Sequence, residues 1–251
     1  MIVLAFILSA SAQTAEPAKT AKPPAAQPAD AAKLPTAESI LDRFAKAVGG
    51  ADALAKVNSR KFTGTLEMTP MGLKGTFETY QSGSDKLYSK MSIAGVGDII
   101  SVVNGDKAWT VNPIQGNRDI SGEELLQLKL ANNIRHDVEM NKLYSKLAVR
   151  GVEKVEGRDA YVVVGTPAGL PESTFYFDKE NGLLVRSDTI AISPEGRMPI
   201  RSFFSDYRDV EGVKIPFKVR ASTAVFDMIM NFSEVKKNEP IDHHLFVKPA
   251  N

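Results

Sequence analysis

From Ser59 onward the apolar residues recur every second position, and turn residues interrupt them at short intervals. Phe62, Leu66 and Met68 alternate with Lys61, Thr63, Thr65 and Glu67. Leu73, Gly75 and Phe77 follow a turn at Pro70-Met71-Gly72, and Leu87, Ser89, Met91 and Ile93 continue the pattern. Asn104-Gly105, between Ile99–Val103 and Lys107–Val111, is a strong two-residue hairpin signal. Residues 59–112 therefore read as a five-strand antiparallel meander that carries Trp109, the only tryptophan. The same pattern returns over 148–156, 160–166, 172–178, 183–192, 199–210, 214–222 and 225–235, with turns such as Glu156-Gly157, Asn181-Gly182 and Glu211-Gly212. Short connections mean hairpins and an antiparallel sheet. No repeat of propeller or solenoid length is visible.

Two segments break the period. Thr36 can cap a helix over 37–48, where Ile40, Leu41, Phe44, Ala47 and Val48 recur at helical spacing before Gly49-Gly50 ends it; a short turn over 51–57 follows. Ser121-Gly122-Glu123-Glu124 reads as a capping box opening a helical insert that runs to Leu147, divided at Asn132-Asn133. A long, singly connected sheet must twist and curl. The expected fold is α+β and mainly antiparallel β: a strongly curved, open half-barrel of about 11–12 strands with a helical lid.

The N-terminus reads differently. Met1–Ala12 is a short apolar run ending in Ser9-Ala10-Ser11-Ala12, which predicts a signal peptide cut before Gln13 and export to the periplasm. Residues 13–34, rich in Ala and Pro, read as a disordered linker, leaving 35–251 as the folded domain. Over the whole chain, hydrophobic residues at 43% and charged residues at 24% exclude global disorder, collagen and coiled coil. A net charge of +1 gives no bulk attraction to nucleic acid. The absence of cysteine excludes disulfides, thiolate metal sites and a lipid-modified N-terminal cysteine.

No catalytic, metal or cofactor site is expected. His136 lies in the insert. His243 and His244 are adjacent, and read as part of an Asp242-capped turn that docks Phe246. No serine elbow or phosphate loop occurs; Gly95-Val96-Gly97 lacks a third glycine and a following helix. Glu123-Glu124 is accounted for by capping and Asp206/Asp209 by a solvated turn. The sequon at Asn231-Phe232-Ser233 falls inside a strand and is read as chance.

The apolar inventory points to a cavity. Phe226, Met228, Met230 and Phe232 share one strand face, Met68 and Met91 lie in other strands, and flexible methionines suit a cavity of adaptable shape. With the leucine-rich helix as lid, the expected cavity lining is Phe62, Leu66, Met68, Phe77, Met91, Leu125, Leu126, Leu128, Leu130, Phe226, Met228, Met230 and Phe232.

Four segments resemble the LolA/LolB-like, outer-membrane lipoprotein-sorting family of periplasmic proteins. These are Ile40-Leu41-Asp42-Arg43-Phe44 with Val48-Gly49-Gly50 and Ala53-Leu54; Gly157-Arg158-Asp159-Ala160-Tyr161; Phe175-Tyr176-Phe177-Asp178 with Gly182-Leu183-Leu184; and Tyr207-Arg208-Asp209-Val210-Glu211-Gly212 with Ile215-Pro216. The resemblance covers about 36–249 and implies an incomplete barrel with a helical lid over an apolar cavity for acyl chains. It also implies a LolA-type carrier or an orphan relative of one, read here as non-catalytic, because LolB-type members carry a cysteine that this chain lacks. The expected partners are lipid or lipid-modified protein, with no nucleic acid and a monomeric chain. The alternative is an accessory module with a filled barrel that contacts an envelope protein through a sheet edge.

Overall fold

The computed structural model describes residues 34–248. The predicted signal peptide and most of the linker lie outside these residues. Helix α1 (Ala37–Ala47) begins where the Thr36 side chain accepts a hydrogen bond from the Ser39 N–H, and a short α2 (Gly50–Ala55) follows. The chain then lays down β1 (Ser59–Thr69), β2 (Leu73–Ser82), β3 (Lys86–Ile93), β4 (Gly97–Asn104), β5 (Lys107–Val111) and β6 (Arg118–Ile120) as one meander. Helices α3 (Gly122–Asn132) and α4 (His136–Leu143) cross to the far edge of the sheet. Strands β7 (Tyr144–Val155), β8 (Arg158–Pro167), β9 (Ser173–Asp178), β10 (Leu184–Ser193), β11 (Gly196–Val210), β12 (Val213–Ser222) and β13 (Asp227–Lys237) return to the middle, where β13 pairs with β1.

The result is one antiparallel sheet of thirteen strands, ordered β6-β5-β4-β3-β2-β1-β13-β12-β11-β10-β9-β8-β7 and not closed into a barrel. This is the expected open half-barrel, with one strand more than counted. The addition is β6, a three-residue strand with too few positions to show a period. The helical insert ends sooner than expected. Tyr144 and Leu147 belong to β7, whose register is broken between Ser145 and Ala148 and again between Val149 and Gly151. Two such bulges shift the alternation and leave spacing that imitates a helix.

The capping box does not form. Ser121 stands at the N-cap of α3 but its side chain accepts no capping hydrogen bond, and Gly122 has a φ of 60°. Glu124 is taken instead by Arg118 of β6 through two hydrogen bonds of 2.8 and 2.6 Å. The expected C-terminal turn does form. His243–Phe246 is a 3-10 helix, the Asp242 carboxylate accepts from the His244 N–H at 2.9 Å, and Phe246 is buried against Val102 and Trp109.

Helices α1 and α4 lie on the inner face of the sheet, where Ile40, Leu41, Phe44, Ile134 and Met140 join the main buried cluster. Phe44 meets the Phe177 ring at 5.1 Å. Trp109 and Phe246 belong to a separate cluster; Val102, the register partner of Trp109, alternates along β4 with the inner-face Val103.

Candidate functional site

Strand register sorts the inner face into rows. One row runs Gly64, Phe77, Met91, Ile99 across β1 to β4. Across β13, Met68 faces Met228, Leu66 faces Met230 and Gly64 faces Phe232. Of the expected cavity residues, eight on strands (Phe62, Leu66, Met68, Phe77, Met91, Met228, Met230 and Phe232) fall into one cluster together with Phe226, which was expected on the strand but stands just before β13; none is more than 6% exposed. The α3 leucines are divided. Leu128 is buried in a second cluster with Val103, Ala108 and Ile120, and Leu125 packs beside it. Leu130 packs on the main cluster, while Leu126 is 46% exposed.

The next row is polar. Phe62, Thr79, Ser89, Ser101, Thr110 and Arg118 are successive register partners from β1 to β6. Thr79, Ser89, Ser101 and Thr110 are all buried. The Thr79 and Ser89 hydroxyls lie 2.8 Å apart, and the Thr110 hydroxyl donates to the Ile100 carbonyl. The row beyond it starts with Arg60 and Gln81 and continues through Leu87 and Val103, the residues that Leu128 covers. Asn132 follows Leu128 by one helical turn and so lies on the same side of α3.

At this spot polar atoms are buried without protein partners: both amide atoms of Asn132, Oε1 of Gln81 and Nε of Arg60. An unmet buried donor or acceptor costs about 1–3 kcal/mol. The other end of Arg60 is held, since Nη2 donates to the Ile134 carbonyl at 2.6 Å and the guanidinium lies 5.8 Å from the Phe62 ring centre. Burial lowers the Arg60 pKa to about 10, against the pull of Asp137.

Beside it, His136 is fully buried. Its Nε2 lies 2.9 Å from the Tyr144 hydroxyl and its Nδ1 3.1 Å from Asp137. Burial pushes the His136 pKa below 6.5; the hydrogen bond to Asp137 opposes this and Arg60 adds to it. The neutral ring is thus the folded form. Stability is complete above the unfolded-state value and falls as pH drops below it, because the unfolded chain takes up a proton that the fold resists. The urea midpoint should be lower at about pH 5 than at about pH 7.5, and His136→Gln should flatten that difference. Equal pH dependence in parent and variant would contradict it.

A clasp holds the lid. The Gln127 side chain of α3 donates to the Ile190 carbonyl at 2.6 Å and accepts from the Ile192 N–H at 3.0 Å. Arg197, just past the β10–β11 turn, pairs with Glu123 at 2.6 Å. Between α3 and the β8–β9 turn lies an opening of about 30 Å³ lined by Leu130, Ala131, Pro167, Leu170 and Ile190. A larger groove of about 400 Å³, bounded by Glu172, Thr174, Asp188, Arg201, Ser222 and Thr223, contains none of the expected cavity residues. Among the described residues no group of three or more His, Cys, Asp or Glu is placed to hold a metal ion.

Periodicity did not single out Arg60, Gln81, Asn132 or the hydroxyl row. A signal was present: Ser89 falls in step with Leu87 and Met91, and Thr79 and Gln81 in step with Phe77, so each occupies an apolar-face position.

No protein-family model matches the sequence, and no curated protein matches it. Solved structures do. A LolA superfamily protein from Nitrosomonas europaea superposes with a TM-score of 0.58 at 14% identity, over 86% of this chain and 99% of that one. A DUF1329 family protein from Desulfovibrio piger gives 0.58 at 16% identity, over 84% and 97%. An outer membrane lipoprotein-sorting protein domain from Vibrio parahaemolyticus gives 0.53 at 13%, over 84% and 97%. Such identities speak for architecture, and they agree with the open antiparallel sheet and its helical cover: the chain has a LolA-like fold.

Proposed function

We propose that this chain is an exported, periplasmic, non-catalytic carrier or binder of acyl chains, lipid or lipid-modified protein. The ligand is held on the inner face beneath α3 and α4. The observation that carries this reading is the lid itself. Helix α3 bears leucines on more than one side: Leu128 is buried over Val103, Ala108 and Ile120, Leu130 packs on the main cluster of methionine and phenylalanine, and Leu126 is exposed. A lid that only capped a finished core would show water a polar outer face. Burying an acyl chain gains about 0.8 kcal/mol per methylene, enough to make such a lid worth opening. The lipoprotein-sorting description of the Vibrio neighbour agrees with this chemistry.

The close packing of these nine residues, from Phe62 to Phe232, favours a second reading, an accessory module with a filled barrel that binds an envelope protein. One measurement separates the two. The full chain, secreted by a Gram-negative host and purified without detergent, should show by native mass spectrometry a polypeptide beginning at Gln13 with a bound acyl compound. Met1 retained on periplasmic protein would refute export. A ligand-free spectrum that stays ligand-free after incubation with lipid would favour the filled barrel.

A further inference from the structure

We infer that the Gln81–Asn132 spot recognises an uncharged polar linkage on the ligand, a hydroxyl-bearing ester or an amide next to the acyl chain. The inference rests on the acyl-carrier reading and names the class of ligand. The unmet atoms are of both kinds. Gln81 Oε1 and Asn132 Oδ1 accept; Asn132 Nδ2 and Arg60 Nε donate. A partner that satisfies them must itself donate and accept, as a glycerol ester or an amide does and a carboxylate does not. A carboxylate or phosphate would set further oxygen acceptors against the two unmet carbonyl oxygens.

Position supports the same conclusion. Arg60 and Gln81 are direct cross-strand partners, so their side chains emerge side by side. Asn132 approaches from the lid, one turn beyond Leu128. The adjoining row continues the polarity through Thr79, Ser89, Ser101 and Thr110, and the row after that is Phe77, Met91 and Ile99. The inner face is thus amphipathic: a polar lane lies beside an apolar bed, and an amphiphile can lie across both. Charge supports it too. The cation of Arg60 already interacts with Asp137, so no anionic headgroup is needed to balance it.

The test is competition. The full chain, purified without detergent, is loaded with a fluorescent palmitoyl probe and titrated with monopalmitoylglycerol, palmitate and palmitoyl lysophosphatidate. Monopalmitoylglycerol should compete about tenfold better than either acid, the worth of one well-made hydrogen bond. Asn132→Leu, of similar volume, should erase that preference. If Asn132→Leu does not fold, Gln81→Leu serves the same purpose; the parent titration needs no variant. Palmitate or lysophosphatidate competing as well as monopalmitoylglycerol overturns the inference, as does a preference that survives both variants. Buried water filling the spot would give that equal competition. A chain that binds neither probe nor competitors removes the acyl-carrier reading as well, whereas probe binding without headgroup preference removes this inference alone.

Discussion

Met228→Glu should abolish binding of a fluorescent fatty acid and lower the thermal midpoint by roughly 6–20 °C. Met228 is 4% exposed on β13, facing Met68 across the β1 seam and Ala221 on the other side. Met68 is itself sealed from solvent, and no cationic side chain is among these register partners. An uncompensated charge buried in such surroundings costs about 3–5 kcal/mol. At about 2–4 °C per kcal/mol for a chain of this size, the quoted range follows. The glutamate can shed its charge by taking a proton, so the loss of stability should shrink as pH is lowered. Met228→Leu, nearly equal in volume, should cost under about 1.5 kcal/mol and keep binding. Differential scanning calorimetry and the fluorescence titration read the two effects. A folded Met228→Glu chain that binds the probe as well as the parent would detach this face from the ligand.

Legibility in the sequence depends on how many positions each element has to display its period. Strand β1 shows eleven residues in clean alternation, so the pattern alone places Phe62, Leu66 and Met68 on one face. The same holds for Met228, Met230 and Phe232 on β13. Helix α3 could be found but not oriented. Leucines at 125, 126, 128 and 130 do not form one stripe, and the structure sends them to different surroundings. Strand β7 was legible from residue 148 onward, but its first four residues, before the bulge at Ser145/Ala148, were hidden in the helical insert. Long-range pairing was hidden for another reason. Gln127 claims the backbone of β10 and Arg197 pairs with Glu123, contacts made only after α3 has crossed the sheet. The polar spot draws on a strand pair and a distant segment: Arg60 and Gln81 come together through the β1–β2 register, and Arg60 reaches the Ile134 carbonyl two residues beyond Asn132.

Phe232→Ala should be the most destabilising truncation at the seam, by about 3–5 kcal/mol. The order of strands makes β1–β13 the one strand pairing between the β1–β6 meander and the β7–β13 meander. Its partners, such as Phe62 and Val235, are far apart in sequence, so side-chain packing there holds the two halves of the sheet together. Phe232 sits at the centre of that packing, with ring centres 5.9 Å from Phe62 and 5.0 Å from Phe77, both edge-on. Gly64 makes the cluster possible. A methyl group there would come within 2.2 Å of the Asn231 carbonyl oxygen and 2.7 Å of the Phe77 ring. The register also shifts between Thr63 and Gly64, where β1 accommodates this approach. Truncating Phe232 removes the shared partner of two rings and leaves a cavity that the paired backbones cannot close. A double-mutant cycle with Phe77→Ala should return a coupling of about 0.5–1.5 kcal/mol, the value expected of an edge-to-face aromatic pair. Urea unfolding supplies all four stabilities. Additive losses, or a Phe232→Ala cost under about 1 kcal/mol, would mean that the halves are joined by backbone pairing alone and that the aromatic cluster is incidental.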